Sequence, residues 1–317
     1  MIEKVAIIGS GVMGSSLAQA FAVAGYTVSL NDVGEQSLVK AKQMLLDNLT
    51  LHVEQEDINE DQKQHALANI TYTVNLEMAV QDADFIVEAI PEVIELKWAL
   101  FQQLNGVIKP EAIVASNTST FPISRLIEKA PFAERMIIAH FFNPAHLVPL
   151  VEIVRHQQTK DEVVENTLEL MYRIGKEPIV LKKDVTGFIA NRLQTALMRE
   201  AFYLLNEGVA SAEDIDTAIT AGPGFRWAFT GPLEIADFGG LDTWQRVFDN
   251  VAPELAESKE APIIIRERVK QNKLGTKSGE GIYAYKEGDV SQKLSERDRQ
   301  FIQLGKVKRE NQSRKKD

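Results

Sequence analysis

The sequence predicts an α/β fold: a doubly wound sheet with an inserted helical pair, followed by an all-helical C-terminal domain. Three observations predict it. Short apolar runs alternate with amphipathic stretches over the first ~180 residues, the pattern of a parallel sheet with crossover helices. A glycine-rich turn joins the first strand-like run to the first helical one. Near Asp184 the strand-like runs stop and helical spacing takes over.

In chain order, Val5–Ile8 reads as a strand, Gly11–Ala24 as the helix after it, and Thr27–Asn31 as the second strand. The acidic, strand-poor stretch Glu35–Ala68 reads as a helical pair, beginning with Glu35–Glu54. Strands follow at Ile70–Thr73, Phe85–Ala89, Ala112–Ser116, Met136–Phe141, Leu150–Val154 and Pro178–Lys182. Helices at Val93–Val107 and Asp161–Ile174 lie among them. Apolar residues from Phe188 to Asn206 fall at helical spacing, with Gly208 as the stop. Further helices are expected at Ala212–Thr220, Pro232–Phe248 and Ile263–Gln271. The boundaries drawn are 1–184 for the sheet domain, 185–304 for the helical domain and 305–317 for a tail. Six Lys or Arg residues between Lys306 and Lys316, with almost no apolar ones, make that tail a solvated, disordered end.

With 317 residues, 44% hydrophobic and 25% charged, the chain can bury a core without disulfides or a structural metal. The absence of cysteine excludes a disulfide framework, thiolate zinc sites and a cysteine nucleophile, and it fits a reducing compartment. No metal site is expected. A formal net charge of -10 disfavours nucleic acid as a partner. No apolar run approaches the ~18 residues that span a bilayer. The N-terminus opens directly into a strand-like run with no signal-peptide pattern, so a cytoplasmic protein is expected.

Val5-Ala6-Ile7-Ile8 runs into Gly9-Ser10-Gly11-Val12-Met13-Gly14, and a second strand ends in Asp32. Strand, glycines, helix and acid together form the fingerprint of a Rossmann-type dinucleotide site. Gly9 permits the tight turn, Gly11 lets a pyrophosphate approach the backbone, and Gly14 lets the helix pack closely. The helix N-terminus offers free N–H groups to phosphates. Asp32 would accept bonds from the adenosine ribose and repel a 2′-phosphate, which selects NAD over NADP. The alternative is a glycine turn with no ligand.

Of five histidines, His140 differs from the rest because it ends the apolar run Met136–Ala139. It therefore sits at the carboxyl edge of a strand, where open parallel sheets bind ligands. Glu152, twelve residues on, lies in the next strand-like run. A histidine can take a hydroxyl proton while hydride leaves carbon, and a carboxylate on its other nitrogen fixes the tautomer. Spacing alone leaves a buried structural histidine as an equal alternative.

Taken in order, several blocks resemble the L-3-hydroxyacyl-CoA dehydrogenase family. They are Gly9–Gly14, Val87-Glu88-Ala89-Ile90-Pro91-Glu92, Ser116-Asn117-Thr118-Ser119, His140-Phe141-Phe142-Asn143-Pro144, Leu150-Val151-Glu152, Gly187-Phe188-Ile189-Ala190-Asn191-Arg192, Gly231-Pro232-Leu233-Glu234 and Gly279-Glu280-Gly281. The resemblance implies His140 as general base and Glu152 as its orienting partner, with Ser119 and Asn191 holding the substrate's 3-oxygen. It implies cofactor contacts at Asn143, Asn117, Glu92, Lys97 and Lys277, besides the glycine turn and Asp32. Read without it, Ser119 is a helix cap before Phe121–Ile127 and Lys97 a solvated helix charge. The resemblance also implies a homodimer formed through the helical domain, which closes over the cofactor domain and excludes water.

Two features bear on the small-molecule substrate. The family's acyl-CoA enzymes carry lysines on the helical pair near the nucleotide end of CoA, whereas Asp47–Asp57 is acidic and holds no Lys or Arg. Asn48 and Gln55 stand where a CoA-contacting Ser and Lys would be. Gly224-Phe225-Arg226-Trp227-Ala228-Phe229 and Leu147–Glu152 are similar to the free-acid branch, the L-gulonate 3-dehydrogenase (lambda-crystallin) and carnitine dehydrogenases. Arg226 would clamp a substrate carboxylate, or else cap a helix end. The His140–Pro144 block and the Gly279-Glu280-Gly281-Ile282-Tyr283 ending are similar to the acyl-CoA branch. The reading is a (S)-3-hydroxyacyl-CoA dehydrogenase of fatty acid metabolism, with a free 3-hydroxy acid dehydrogenase as alternative. A non-catalytic NAD-binding sensor or structural protein is the third possibility.

Overall fold

The computed structural model describes residues 2–286 and 288–314, the side chains of 312–314 excepted. Eight strands form one sheet: β1 (Lys4–Ile8), β2 (Thr27–Asn31), β3 (Ile70–Thr73), β4 (Phe85–Glu88), β5 (Ile113–Ser116), β6 (Met136–Phe141), β7 (Leu150–Val154) and β8 (Glu177–Val180). Their order is β3-β2-β1-β4-β5-β6-β7-β8. All neighbouring pairs are parallel except β6 and β7, which run antiparallel.

The central strands β1, β4, β5 and β6 are buried along nearly their whole length because both faces are covered. Val5 and Ile7 of β1 enter one core with Leu17 and Phe21 of α1 (Val12–Val23) and Leu45 and Leu49 of α2 (Glu35–Glu54). Ala6 and Ile8 enter the other with Leu100, Phe101 and Leu104 of α5 (Ile94–Leu104). Burying a Phe such as Phe21 or Phe101 stabilises by roughly 1.5–3 kcal/mol. The period of two along β1 thus separates the layers.

The helical pair expected after β2 is present: α2 is followed by α3 (Glu60–Ala68). Asn59 caps α3 in a capping box with Gln62. Short helices α4 (Leu76–Val80) and α6 (Ile123–Ile127) and the longer α7 (Asp161–Arg173) complete the crossovers.

Contacts divide the chain into two units. The first runs to Asn191 and includes the segment from Asp298 onward; the second is Arg192–Arg297. The division therefore falls beyond the expected 184. The second unit holds most of α8 (Ala190–Asn206), then α9 (Ala212–Ala221), α10 (Pro223–Trp227), α11 (Pro232–Gly239), α12 (Leu241–Val251) and α13 (Ile263–Lys270). The single helix expected over Pro232–Phe248 is broken at Gly240, whose φ of 83° ends α11.

The tail expected to be disordered over 305–317 is corrected as far as residue 314 by α14 (Asp289–Arg314), a helix that continues to there; residues 315–317 lie outside the described residues. Its Ile302 is buried in the first unit. Lys306 Nζ donates to the carbonyl of Gln55 at 2.6 Å, and Arg309 pairs with Asp57. Of the basic residues read as a solvated tail, Lys306 and Arg309 lie against the acidic end of α2, and Lys308 lies 3.8 Å from Glu177. No helix among the described residues is long and apolar enough to cross a membrane.

Candidate active site

The strand order reverses between β1 and β4, which opens a crevice at the carboxyl edge of the sheet. A cavity of about 1050 Å³ lies there, lined by Gly9–Met13 after β1, by Asp32 after β2 and by Ala89–Pro91 after β4. Gly9 has φ +100°, and a Cβ there would stand 2.6 Å from the Ala89 carbonyl oxygen. A Cβ on Gly14 would stand 1.7 Å from the Gly9 oxygen, so helix and turn touch backbone to backbone. At Gly11 a Cβ would meet nothing within 4 Å. That is the approach a pyrophosphate needs, and the cradle fits NAD.

Asp32 is held by the Ser10 N–H at 2.8 Å, the Ser10 hydroxyl at 2.9 Å and the Gly34 N–H at 3.1 Å. Partial burial raises its carboxyl, but the Ser10 and Gly34 N–H groups and the Ser10 and Ser37 hydroxyls bring it below the ordinary carboxylate value. It is an anion at neutral pH.

His140 and Glu152 stand opposite one another in the β6–β7 register. His140 Nδ1 lies 2.9 Å from Glu152 Oε2, with the residues 5% and 0% exposed. The other carboxylate oxygen accepts the N–H groups of Ile189 at 2.8 Å and Ala190 at 3.0 Å. Gly187 and Phe188 both have positive φ, 77° and 51°, which turns those N–H groups toward Glu152. Phe142 and Phe188 flank the imidazole, ring centroids at 5.0 and 5.2 Å. Burial raises the Glu152 carboxyl, and the bonds from His140, Ala190 and Ile189 outweigh it, leaving it below the usual value. With Nδ1 engaged, Nε2 is the nitrogen left for a substrate hydroxyl.

Asn117 Oδ1 accepts the Phe141 N–H at 2.9 Å and so ties the end of β5 to the residue beside His140. Ser119 follows in a turn gathered by Glu92. Glu92 Oε1 accepts the N–H groups of Ser119 and Thr120 and the hydroxyls of Thr118 and Thr120. The cap of α6 is Pro122, which corrects the reading of Ser119 as its cap. Lys97 is 1% exposed and pairs with Glu88 at 2.6 Å and Glu92 at 3.1 Å, which overturns its reading as a solvated charge. Glu88 is fully buried and also accepts the Ser116 hydroxyl at 2.5 Å. Glu88 stands in the Val87–Glu92 block without a role of its own; the signal for it is an acid ending an otherwise apolar strand.

Asn143 is exposed, in a cis peptide bond to Pro144, on the loop joining β6 to β7. Asn191 follows Ala190, whose N–H binds Glu152. Arg226 and Lys277 belong to the second unit and are exposed. Arg226 has no side-chain partner among the described residues, so nothing shows it capping a helix. Among the described residues no group of three His, Asp or Glu side chains is arranged for a metal ion.

A doubly wound sheet with a glycine-turn cofactor cleft and a histidine–carboxylate pair at the same edge defines an NAD-dependent dehydrogenase acting on CH–OH. The comparisons narrow the class. Residues 4–185 match the model of the 3-hydroxyacyl-CoA dehydrogenase NAD binding domain, and residues 187–285 that of its C-terminal domain. The chain belongs to the 3-hydroxyacyl-CoA dehydrogenase family. It is 32% identical to 5-formyl-3-hydroxy-2-methylpyridine 4-carboxylate 5-dehydrogenase of Mesorhizobium japonicum over 97% of this chain and 98% of that one. A crystal structure of an enzyme of that name, an NAD+-dependent dismutase, superposes with a TM-score of 0.87, covering 97% and 98% of the two chains. Identity is 37% to 3-hydroxybutyryl-CoA dehydrogenase of Bradyrhizobium diazoefficiens (90% of this chain, 96% of that). It is 34% to L-carnitine dehydrogenase of Bacillus cereus (95% and 90%).

Proposed function

We propose that this chain oxidises the hydroxyl, or reduces the corresponding carbonyl, of a small free carboxylic acid, with His140 as the general base. NAD, when bound, supplies the hydride acceptor. The observation that carries the reaction is the buried His140–Glu152 pair, whose carboxylate is pinned by two backbone N–H groups. Glu152 holds the imidazole with Nε2 toward the substrate and stabilises the imidazolium that forms as the proton moves. Ser119 and Asn191 would hold the reacting oxygen, and Asn143 and Lys277 would contact the cofactor; the Ser119 hydroxyl has no protein partner among the described residues. Glu92 and Lys97 would act on the cofactor side by fixing the Asn117–Thr120 turn.

The choice of a free acid over an acyl-CoA rests on α14. Gln55, where the resemblance places a CoA-contacting lysine, bonds instead to Gln303 and Lys306. Glu54 and Asp57 bond to Arg299 and Arg309. Helix α14 lies past the end of the family match at residue 285. Two of the relatives above, the pyridine-carboxylate and carnitine dehydrogenases, bear the names of free acids. The acyl-CoA reading keeps the support of 37% identity to a 3-hydroxybutyryl-CoA dehydrogenase. Parallel assays of acetoacetyl-CoA reduction and of carnitine, L-gulonate and pyridine-carboxylate turnover decide between them. A kcat/KM at least ~10-fold higher for a free acid is expected; the reverse order returns the acyl-CoA reading. In the free-acid reading Arg226 is the carboxylate clamp, and Arg226→Ala raises KM for the acid.

A homodimer is proposed on the second unit. Its helices α8, α9, α12 and α13 bury no residue within the chain, while Phe225, Leu233 and Phe238 are 74%, 83% and 77% exposed. An apolar surface of this kind is what an obligate interface covers.

A further inference from the structure

Lys176 stands between α7 and β8 in Gly175-Lys176-Glu177-Pro178 and is 7% exposed. Its ammonium donates to the carbonyls of Ala145 at 2.5 Å and Val148 at 3.0 Å. Both belong to the loop of residues 142–149, which leaves β6 just after His140 and enters β7 just before Glu152. The adjoining Glu177 N–H donates to Pro149 O at 2.8 Å, the last residue of the same loop. From α1, Ser16 Oγ reaches both the Nδ1 (2.5 Å) and the N–H (3.3 Å) of His146. The loop is thus fixed from the glycine-turn helix on one side and from Lys176 on the other.

No ion pair to the Lys176 ammonium exists among the described residues. A buried cation without a carboxylate is costly, and an apolar side chain would close the same space without that cost. What the ammonium adds is two charge-assisted bonds to inward-facing carbonyls of one loop. We propose that Lys176 is a positioning residue, a buried cationic clamp that sets the 142–149 loop and with it Asn143 and the His140–Glu152 register. The proposal rests on the dehydrogenase reading for its catalytic consequence, and on the loop geometry alone for its consequence on cofactor binding.

Burial pushes the Lys176 ammonium down to about 8. The clamp is therefore charged at neutral pH and loses its charge as pH rises through that value. The titratable and charged groups around it have partners of their own. His146 is held by Ser16, Glu177 lies 3.8 Å from Lys308 of α14, and Arg173 at the end of α7 pairs with Glu169.

The test follows NADH affinity, by nucleotide fluorescence, and kcat for hydroxyl oxidation from pH 6.5 to 9.5. In the full chain both quantities are expected to decline above about pH 8. Lys176→Arg stays charged and is expected to move that decline upward by at least about one pH unit. Lys176→Met is expected to bind NADH and turn over at least ~10-fold less well at pH 7, with an affinity that no longer varies between pH 7 and 9. A flat profile in the unaltered protein, coincident declines in it and the Arg variant, or unchanged affinity in the Met variant would each overturn the clamp. If Lys176→Met does not fold, the unaltered and Arg profiles decide. If no hydroxy acid is turned over, the dehydrogenase reading fails separately, and the NADH arm still judges the clamp.

Discussion

At the residue scale, the site depends on which atom each carboxylate faces. Glu152 Oε2 meets the imidazole while Oε1 is taken by Ile189 and Ala190, so the acid cannot rotate away from His140. Glu152→Gln keeps the shape but replaces an anion with a neutral amide, whose NH₂ can face the N–H groups only by losing a bond. It is expected to lower kcat by roughly 100-fold or more while NAD affinity changes little, checked by steady-state kinetics and nucleotide titration. Asp32 is an anion wedged among the Ser10 and Gly34 N–H groups. It should repel a 2′-phosphate, giving kcat/KM for NAD at least ~100-fold above that for NADP; comparable values would remove that role. The placements of His140 and Glu152 were legible because each ends, or stands within, an apolar run, and that of Asp32 because it follows the second strand after a glycine turn. Lys176 was not, since nothing local distinguishes a buried lysine from a solvated one. The positive φ of Phe188 was equally hidden, because a bulky residue rarely takes that conformation.

At the scale of elements, the glycine turn and α14 show two kinds of legibility. The turn is a local device: a Cβ on Gly9 would stand 2.6 Å from Ala89 O. Gly9→Ala is expected to weaken NAD binding at least ~10-fold and to lower thermal stability, measurable by titration and melting. Helix α14 is held by tertiary ion pairs and, among the described residues, by the buried side chain of Ile302, so its own periodicity did not announce it. Arg309→Glu sets two anions against each other at Asp57 and is expected to expose α14 to proteolysis while the sheet unit stays folded. Cleavage at the unaltered rate would show that the ion pair contributes nothing. The eight strands were all foreseen: the central ones as continuous apolar runs, the others as short β-branched or aromatic stretches between helical patterns. Their antiparallel step between β6 and β7 was not, because periodicity carries no direction.

At the scale of the whole molecule, acid has a defined effect. Asp32, Asp57, Glu92 and Glu152 each titrate below the ordinary carboxylate value; burial opposes this in every case, and bonds from N–H groups, hydroxyls or cations outweigh it. A carboxyl lowered on folding contributes stability that is present above its unfolded value, about 4, and is lost as pH falls through the folded one. Thermal stability is therefore expected to fall steeply below about pH 4, where their contribution is withdrawn; an unchanged melting temperature at pH 3 would contradict these environments. The exposed apolar helices of the second unit predict a particle of two chains by light scattering, and a single chain at micromolar concentration would refute the dimer. The most direct test of the reaction is His140→Gln, read by single-turnover formation of NADH from a substrate the unaltered enzyme oxidises. A fall of at least ~100-fold in that rate is expected, with NADH affinity preserved. Hydride transfer at the unaltered rate would show that another group removes the proton.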